Sequence, residues 1–166
     1  MITNFLLDHS GLVPIALLVI ALVCAVLGYL FAQRPQILWA LAGLSLIPVF
    51  GLTLVPTHYP GDAVFCTVQF ALPSLGSVEL LANVALFLPP VHFAALASRR
   101  PLMALAAGSW LSAVIEALQA FFPVIGRACD TNDWLMNTLG ALLGLGTAWL
   151  VQRRSQSGSS TGAMSS

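Results

Sequence analysis

Five stretches of roughly twenty apolar residues divide this 166-residue chain, and each is the length that crosses a bilayer. They run from Leu12 to Phe31, Ile37 to Val55, Val78 to Ala97, Leu102 to Phe122, and Asp133 to Val151. At about 1.5 Å of rise per residue, each reaches across about 30 Å of hydrocarbon. Lipid offers no partner to a backbone N–H or C=O, so such a segment must satisfy its own polar groups, as a helix does. The expected fold is therefore all-α: a polytopic membrane helical bundle of about five transmembrane helices, occupying residues 1–154. Residues 155–166 are rich in Ser and Gly, have no apolar periodicity to bury, and are expected to form a disordered tail. The composition agrees, with 58% hydrophobic and 7% charged residues. Net charge is zero and lysine is absent, which excludes a nucleic-acid surface, since that requires clustered positive charge.

Arginine placement sets the expected orientation, because basic residues in short loops stay on the cytoplasmic side. Arg34 falls between the first two spans, Arg99 and Arg100 between the third and fourth, and Arg153 and Arg154 after the fifth. These positions share one face, giving the N-terminus outside and the C-terminus and its tail inside. The first span is expected to be retained rather than cleaved, because Asp8 and no basic residue precede it.

The long outer connection, about 56–77, is punctuated by Pro56, Pro60, Gly61, Pro73 and Gly76, and its amphipathic middle, Phe65 to Leu72, suits the membrane interface. Short connections at Gln33–Gln36 and Ser98–Pro101 predict that the helices they join pack as antiparallel neighbours. Pro89-Pro90 predicts a kink or break in the third span. Cys66 and Cys129 both fall on the outer side, where disulfides persist, and are candidates for a bridge that closes the outer loop over what lies beneath. The three histidines lie in separate segments and give no metal signature, His92 reading as a buried side chain; no metal or cofactor is expected.

The apolar pattern is interrupted most in its last third. Four of the twelve Asp, Glu and Arg side chains fall between Glu116 and Asp133. A charge at the bilayer centre costs about 2.5–3.5 kcal/mol on insertion scales, so such groups pair, line a cavity or carry function. Helical spacing puts Ser112, Glu116 and Gln119 on one face of the fourth span, and Asp133 and Asn137 on one face of the fifth. Gly140 and Gly144 form a small-xxx-small pair on that same face, for which the fourth span is the expected partner. In the third span Asn83 lies four residues after Glu79. Thr131 or Asn132 is placed to cap the fifth helix, and Asp133 suits its positive N-terminus. The candidate ligand-binding residues are Asn83, Ser112, Glu116, Gln119, Arg127, Asp130, Asp133 and Asn137, with Arg127 the fork-shaped anion contact.

In this order these residues resemble the VanZ-like family of bacterial membrane proteins. The resemblance rests on Asn83-x3-Phe87-x-Pro89, on Ser112-x3-Glu116-x2-Gln119, and on Arg127-x2-Asp130-x2-Asp133-x3-Asn137-x2-Gly140-x3-Gly144, within Val78 to Val151. It implies a multi-pass protein of the bacterial cell membrane, and the family's named member is associated with resistance to the glycopeptide teicoplanin. The chain departs from many relatives in having Pro90 and Val91 where a glycine follows the Phe-x-Pro element, and in offering His58, Asp62 and Cys66 without a lysine after the second span.

The expected function is an envelope protein whose outer-face pocket binds a lipid or cell-wall precursor headgroup. The alternatives are a membrane enzyme on a lipid-linked substrate, with Glu116 or Asp130 as acid or base, and a small transporter. Sequence supplies no nucleophile elbow, His-Glu-x-x-His or phosphate-cradling loop for the enzyme, and no internal repeat for the transporter.

Overall fold

A computed structural model of the protein describes residues 11–56, 66–70, 77–125 and 129–162. Five helices carry it: α1 (Leu12–Leu30), α2 (Pro35–Leu54), α3 (Val78–Ser98), α4 (Pro101–Phe121) and α5 (Thr131–Gly162), with a 3-10 turn at Pro123–Ile125. All five are long and apolar enough to span a membrane. Pro35 and Pro101 start α2 and α4, where a missing N–H costs nothing and the fixed φ suits the helix. Between α3 and α4 the chain reverses through Arg99, which holds the left-handed conformation (φ 55°) that glycine usually supplies after a helix.

Of the kink or break expected in α3, the break does not occur; α3 keeps its helical assignment through Pro89 and Pro90 and on to Ser98. Membrane helices tolerate proline where neighbouring helices enclose it, and Pro90 is buried. At the other end of the chain, α5 runs on to Gly162. Extending an existing helix needs no new nucleus, so the ladder continues past the apolar stretch.

The bundle is organised around α3. It packs against all four other helices, most extensively against α5. Over its most apolar window 56% of α3 is buried, against 17% for α1 and for α2, so the outer helices present most of their surface to lipid. The Gly140/Gly144 pair faces α3 rather than the expected α4. A Cβ added at Gly140 would collide with the Val84 carbonyl, and one at Gly144 would lie 2.5 Å from the Leu88 carbonyl oxygen. Hydrocarbon tails are as apolar as leucine, so helices associate through close backbone approach, and the two glycines provide it at the central helix.

The short connection after α1 does not make α1 and α2 neighbours as expected. The two helices barely touch and lie separately against α3, with α1 also reaching α5. On α1 the approach is made at Gly28, where an added Cβ would sit 2.6 Å from His92 Nε2 and from Leu96 Cδ1. On α2, Leu38 and Val49 are fully buried. His92 is fully buried at the centre of this packing, with Nδ1 2.8 Å from Thr147 Oγ1. The Thr147 hydroxyl also lies 3.0 Å from the Gly144 carbonyl. This histidine ties α3 to α5 beside the glycine seam.

Candidate functional site

The polar residues of α3, α4 and α5 converge at the end of the bundle where α5 begins. Asp130 stands immediately before α5, and its Oδ1 accepts the Asn132 amide at 2.8 Å. It therefore caps the helix, a role expected of Thr131 or Asn132. The Asp130 amide in turn donates to Glu116 Oε2 at 2.9 Å, tying the start of α5 to α4. One helical turn into α5, Asp133 Oδ1 accepts Asn83 Nδ2 at 2.6 Å, which ties α5 to α3. A turn deeper, Asn137 Nδ2 donates to Ser112 Oγ at 2.9 Å within the core. Gln119 reaches the other way, donating from Nε2 to the Thr53 carbonyl at 3.0 Å, and so joins α4 to the end of α2.

The residues from Cys66 to Phe70 supply a part of the site that helical periodicity does not reveal. The amphipathic middle of the long connection was expected to lie in the membrane interface. Its described portion forms an extended strap along residues 129–131. Thr67 N–H donates to the Cys129 carbonyl at 2.9 Å, and Thr131 N–H donates to the Thr67 carbonyl at 3.1 Å. Gln69 N–H donates to Thr131 Oγ1 at 3.0 Å, and Gln69 Nε2 donates to Asp130 Oδ2 at 2.6 Å. A disulfide joins Cys66 to Cys129, with their Cα atoms 4.5 Å apart. The strap is thus held covalently at one end and by hydrogen bonds along its length.

Strap and helices together enclose an open-sided cleft of about 300 Å³, lined by Thr67, Gln69, Glu79, Leu80, Gln119, Asp130, Asn132 and Asp133. Of the residues singled out from sequence, Gln119, Asp130 and Asp133 face the cleft, while Asn83 and Glu116 stand behind it, bonded to Asp133 and to the Asp130 backbone. Ser112 and Asn137 lie below it, and Arg127 lies outside the described residues. Thr67, Gln69, Glu79 and Asn132 are additions. Glu79 has a discernible signal, its spacing of four from Asn83. The strap residues have none, because their partners are about sixty positions away.

The lining is rich in acceptors. Three carboxylates, of Glu79, Asp130 and Asp133, share it with the amides of Gln69, Gln119 and Asn132, and Glu79 has no hydrogen bond among the described residues. Such a surface suits a molecule bearing hydroxyl or ammonium donors. No group of three His, Cys, Asp or Glu side chains among the described residues is placed to hold a metal ion.

Glu116 has a definable structural part in this arrangement. Glu116→Ala leaves the partly buried Asp130 amide without its acceptor and is expected to destabilise by about 1–3 kcal/mol. Glu116→Gln keeps a carbonyl oxygen in reach and is expected to change thermal stability little. Unfolding midpoints of the two variants in detergent check the contrast.

Five apolar helices, four of them packed on a buried central one, with a polar cleft at one end, define a multi-pass membrane protein. The chain belongs to the VanZ-like family, matching the VanZ/LLP1 family model over residues 16–152. The match takes in α1 and α2 as well as the motif-bearing segment from Val78 onward. No curated protein and no solved structure shows a significant match.

Proposed function

We propose that this protein binds the polar headgroup of a lipid or lipid-linked cell-wall precursor in the cleft between the strap and α3, α4 and α5, at the outer face of a bacterial cell membrane. The carrying observation is that four separate chain segments deliver hydrogen-bonding side chains to one cleft in a chain only 7% charged. The acids and amides of the lining receive the hydroxyl or amino groups of the headgroup. Arg127, three residues before Asp130 in the chain, supplies the contact to its phosphate.

Two features support the outward orientation. Among the described arginines, Arg34, Arg99 and Arg100 flank helix ends opposite the cleft, and Arg153 and Arg154 lie in α5 about twenty residues from its cleft end, as basic residues do on the cytoplasmic side. The disulfide belongs to the cleft end, and disulfides persist in oxidising compartments. A part in tolerance of glycopeptides such as teicoplanin follows from this reading, since a protein that holds such a precursor competes for it.

The test is thermal stabilisation of the purified protein by a polyprenyl-pyrophosphate-linked disaccharide peptide, with phosphatidylcholine as comparison. A ligand at about a hundred times its Kd stabilises by about 2.7 kcal/mol, a readily measured rise in midpoint. Glu79→Gln and Arg127→Ala are expected to fold normally and to lose the rise. An equal rise in the parent and both variants defeats the proposal.

A further inference from the structure

The end of the bundle away from the polar cleft carries an apolar groove with arginine at its mouth. We infer that this groove, between α2, α3 and α4, is a binding site for one acyl chain of an anionic phospholipid whose phosphate sits at Arg100. The inference is independent of the headgroup reading of the polar cleft.

The groove exists because α2 and α4 both pack on α3 but touch each other little. The space between them is about 540 Å³, open-sided, and walled by Trp39, Leu46, Phe87, Met103 and Leu111. Its polar lining comes from Ser98 and Arg100, both at the helix ends. Along α4 it extends from Arg100 to Leu111, about 16 Å at 1.5 Å per residue. Half of a hydrocarbon core of about 30 Å is about 15 Å, so the groove is as long as one leaflet is deep. A chain lying in it brings its own headgroup to the level of Arg100.

The mouth is built for an anion. Arg100 is exposed and lines the groove at the N-terminus of α4, whose first-turn amides add partial positive charge. The same design recurs between α1 and α5, where a second apolar groove of about 470 Å³, walled by Leu22, Val26 and Leu150, ends at Tyr29 and Arg154.

Gly43 provides a clean probe. It lines the larger groove, and a Cβ added there meets nothing within 4 Å, so Gly43→Leu fills the space without pressing on the backbone. The full-length protein is released for native mass spectrometry from mixed micelles of phosphatidylglycerol and phosphatidylcholine with equal chains at equal amounts. The parent is expected to retain phosphatidylglycerol at least about fivefold over phosphatidylcholine, the preference one basic residue gives at a membrane surface. Arg100→Gln is expected to cut that preference about fivefold, and Gly43→Leu to reduce retention of both lipids. Thermal midpoints report whether each variant is folded; if Gly43→Leu is not, Arg100→Gln decides alone. Equal retention of the two lipids by the parent overturns the proposal. Undiminished phosphatidylglycerol on Arg100→Gln, or on a folded Gly43→Leu, overturns it too.

Discussion

Gly140→Ala is expected to destabilise the protein by about 3 kcal/mol, the upper part of the range for overpacking, although alanine is the better helix former. The added Cβ meets the Val84 carbonyl, carbon and Cα, all backbone, so no side chain can swing away. Relief requires α3 and α5 to separate, which would loosen the most extensive helix contact in the bundle and pull Asp133 away from Asn83. Gly146, two turns further along α5, has nothing within 4 Å of an added Cβ. Gly146→Ala is therefore expected to be neutral or stabilising by a few tenths to about 1 kcal/mol. Comparing unfolding midpoints of the two variants in one detergent separates close packing from helix propensity. A Gly140→Ala protein as stable as Gly146→Ala would mean that the seam does not hold α3 and α5 together.

Removing the Cys66–Cys129 bridge is expected to have the next largest effect. The cysteines are 63 residues apart, and the chain-entropy estimate for a loop of that size is about 4 kcal/mol. The span helices already restrict the unfolded chain in the bilayer, so a loss of about 2–4 kcal/mol is expected for Cys66→Ser with Cys129→Ser. The local consequence is sharper than the global one. Without the bridge, the strap is held to residues 129–131 only by exposed hydrogen bonds, each contributing about 0.5–1.5 kcal/mol. Headgroup binding in the cleft is then expected to weaken as its wall frays. Thiol counting provides the check on the starting state. Of the three cysteines, denaturation without reductant is expected to expose only Cys24 to a maleimide, and denaturation with reductant all three.

The helices were legible in the sequence because membrane length and backbone satisfaction are local constraints. Each of the five helices begins within two residues of the apolar stretch read for it. That Glu116, Asp130, Asp133 and Asn83 stand close together was also accessible, since charged groups in a nonpolar chain have few places to go. Pairing was not. Gly140 and Gly144 announce a close approach but not its partner, and the choice of α3 over α4 depends on how all five helices fill space. Likewise Gln69 and Thr67 look like ordinary loop residues, and only the register of the strap against Cys129 and Thr131 gives them a place in the cleft. Asp130 was noticed for its charge, whereas its geometry is that of a helix cap.

The separation of α1 from α2 bears on how the chain is assembled during synthesis. Both helices enter the bilayer before α3 has been made, and neither has the other as a partner. Their docking surface is completed only with Ser98, 44 residues after α2 ends at Leu54. At about 5–20 residues per second the nascent chain carries two unattached spans for several seconds, and α5 is the last to lock the central helix in place. Their strong hydrophobicity, with the highest mean hydropathy of the five, lets α1 and α2 wait in lipid as independent helices until the hub arrives.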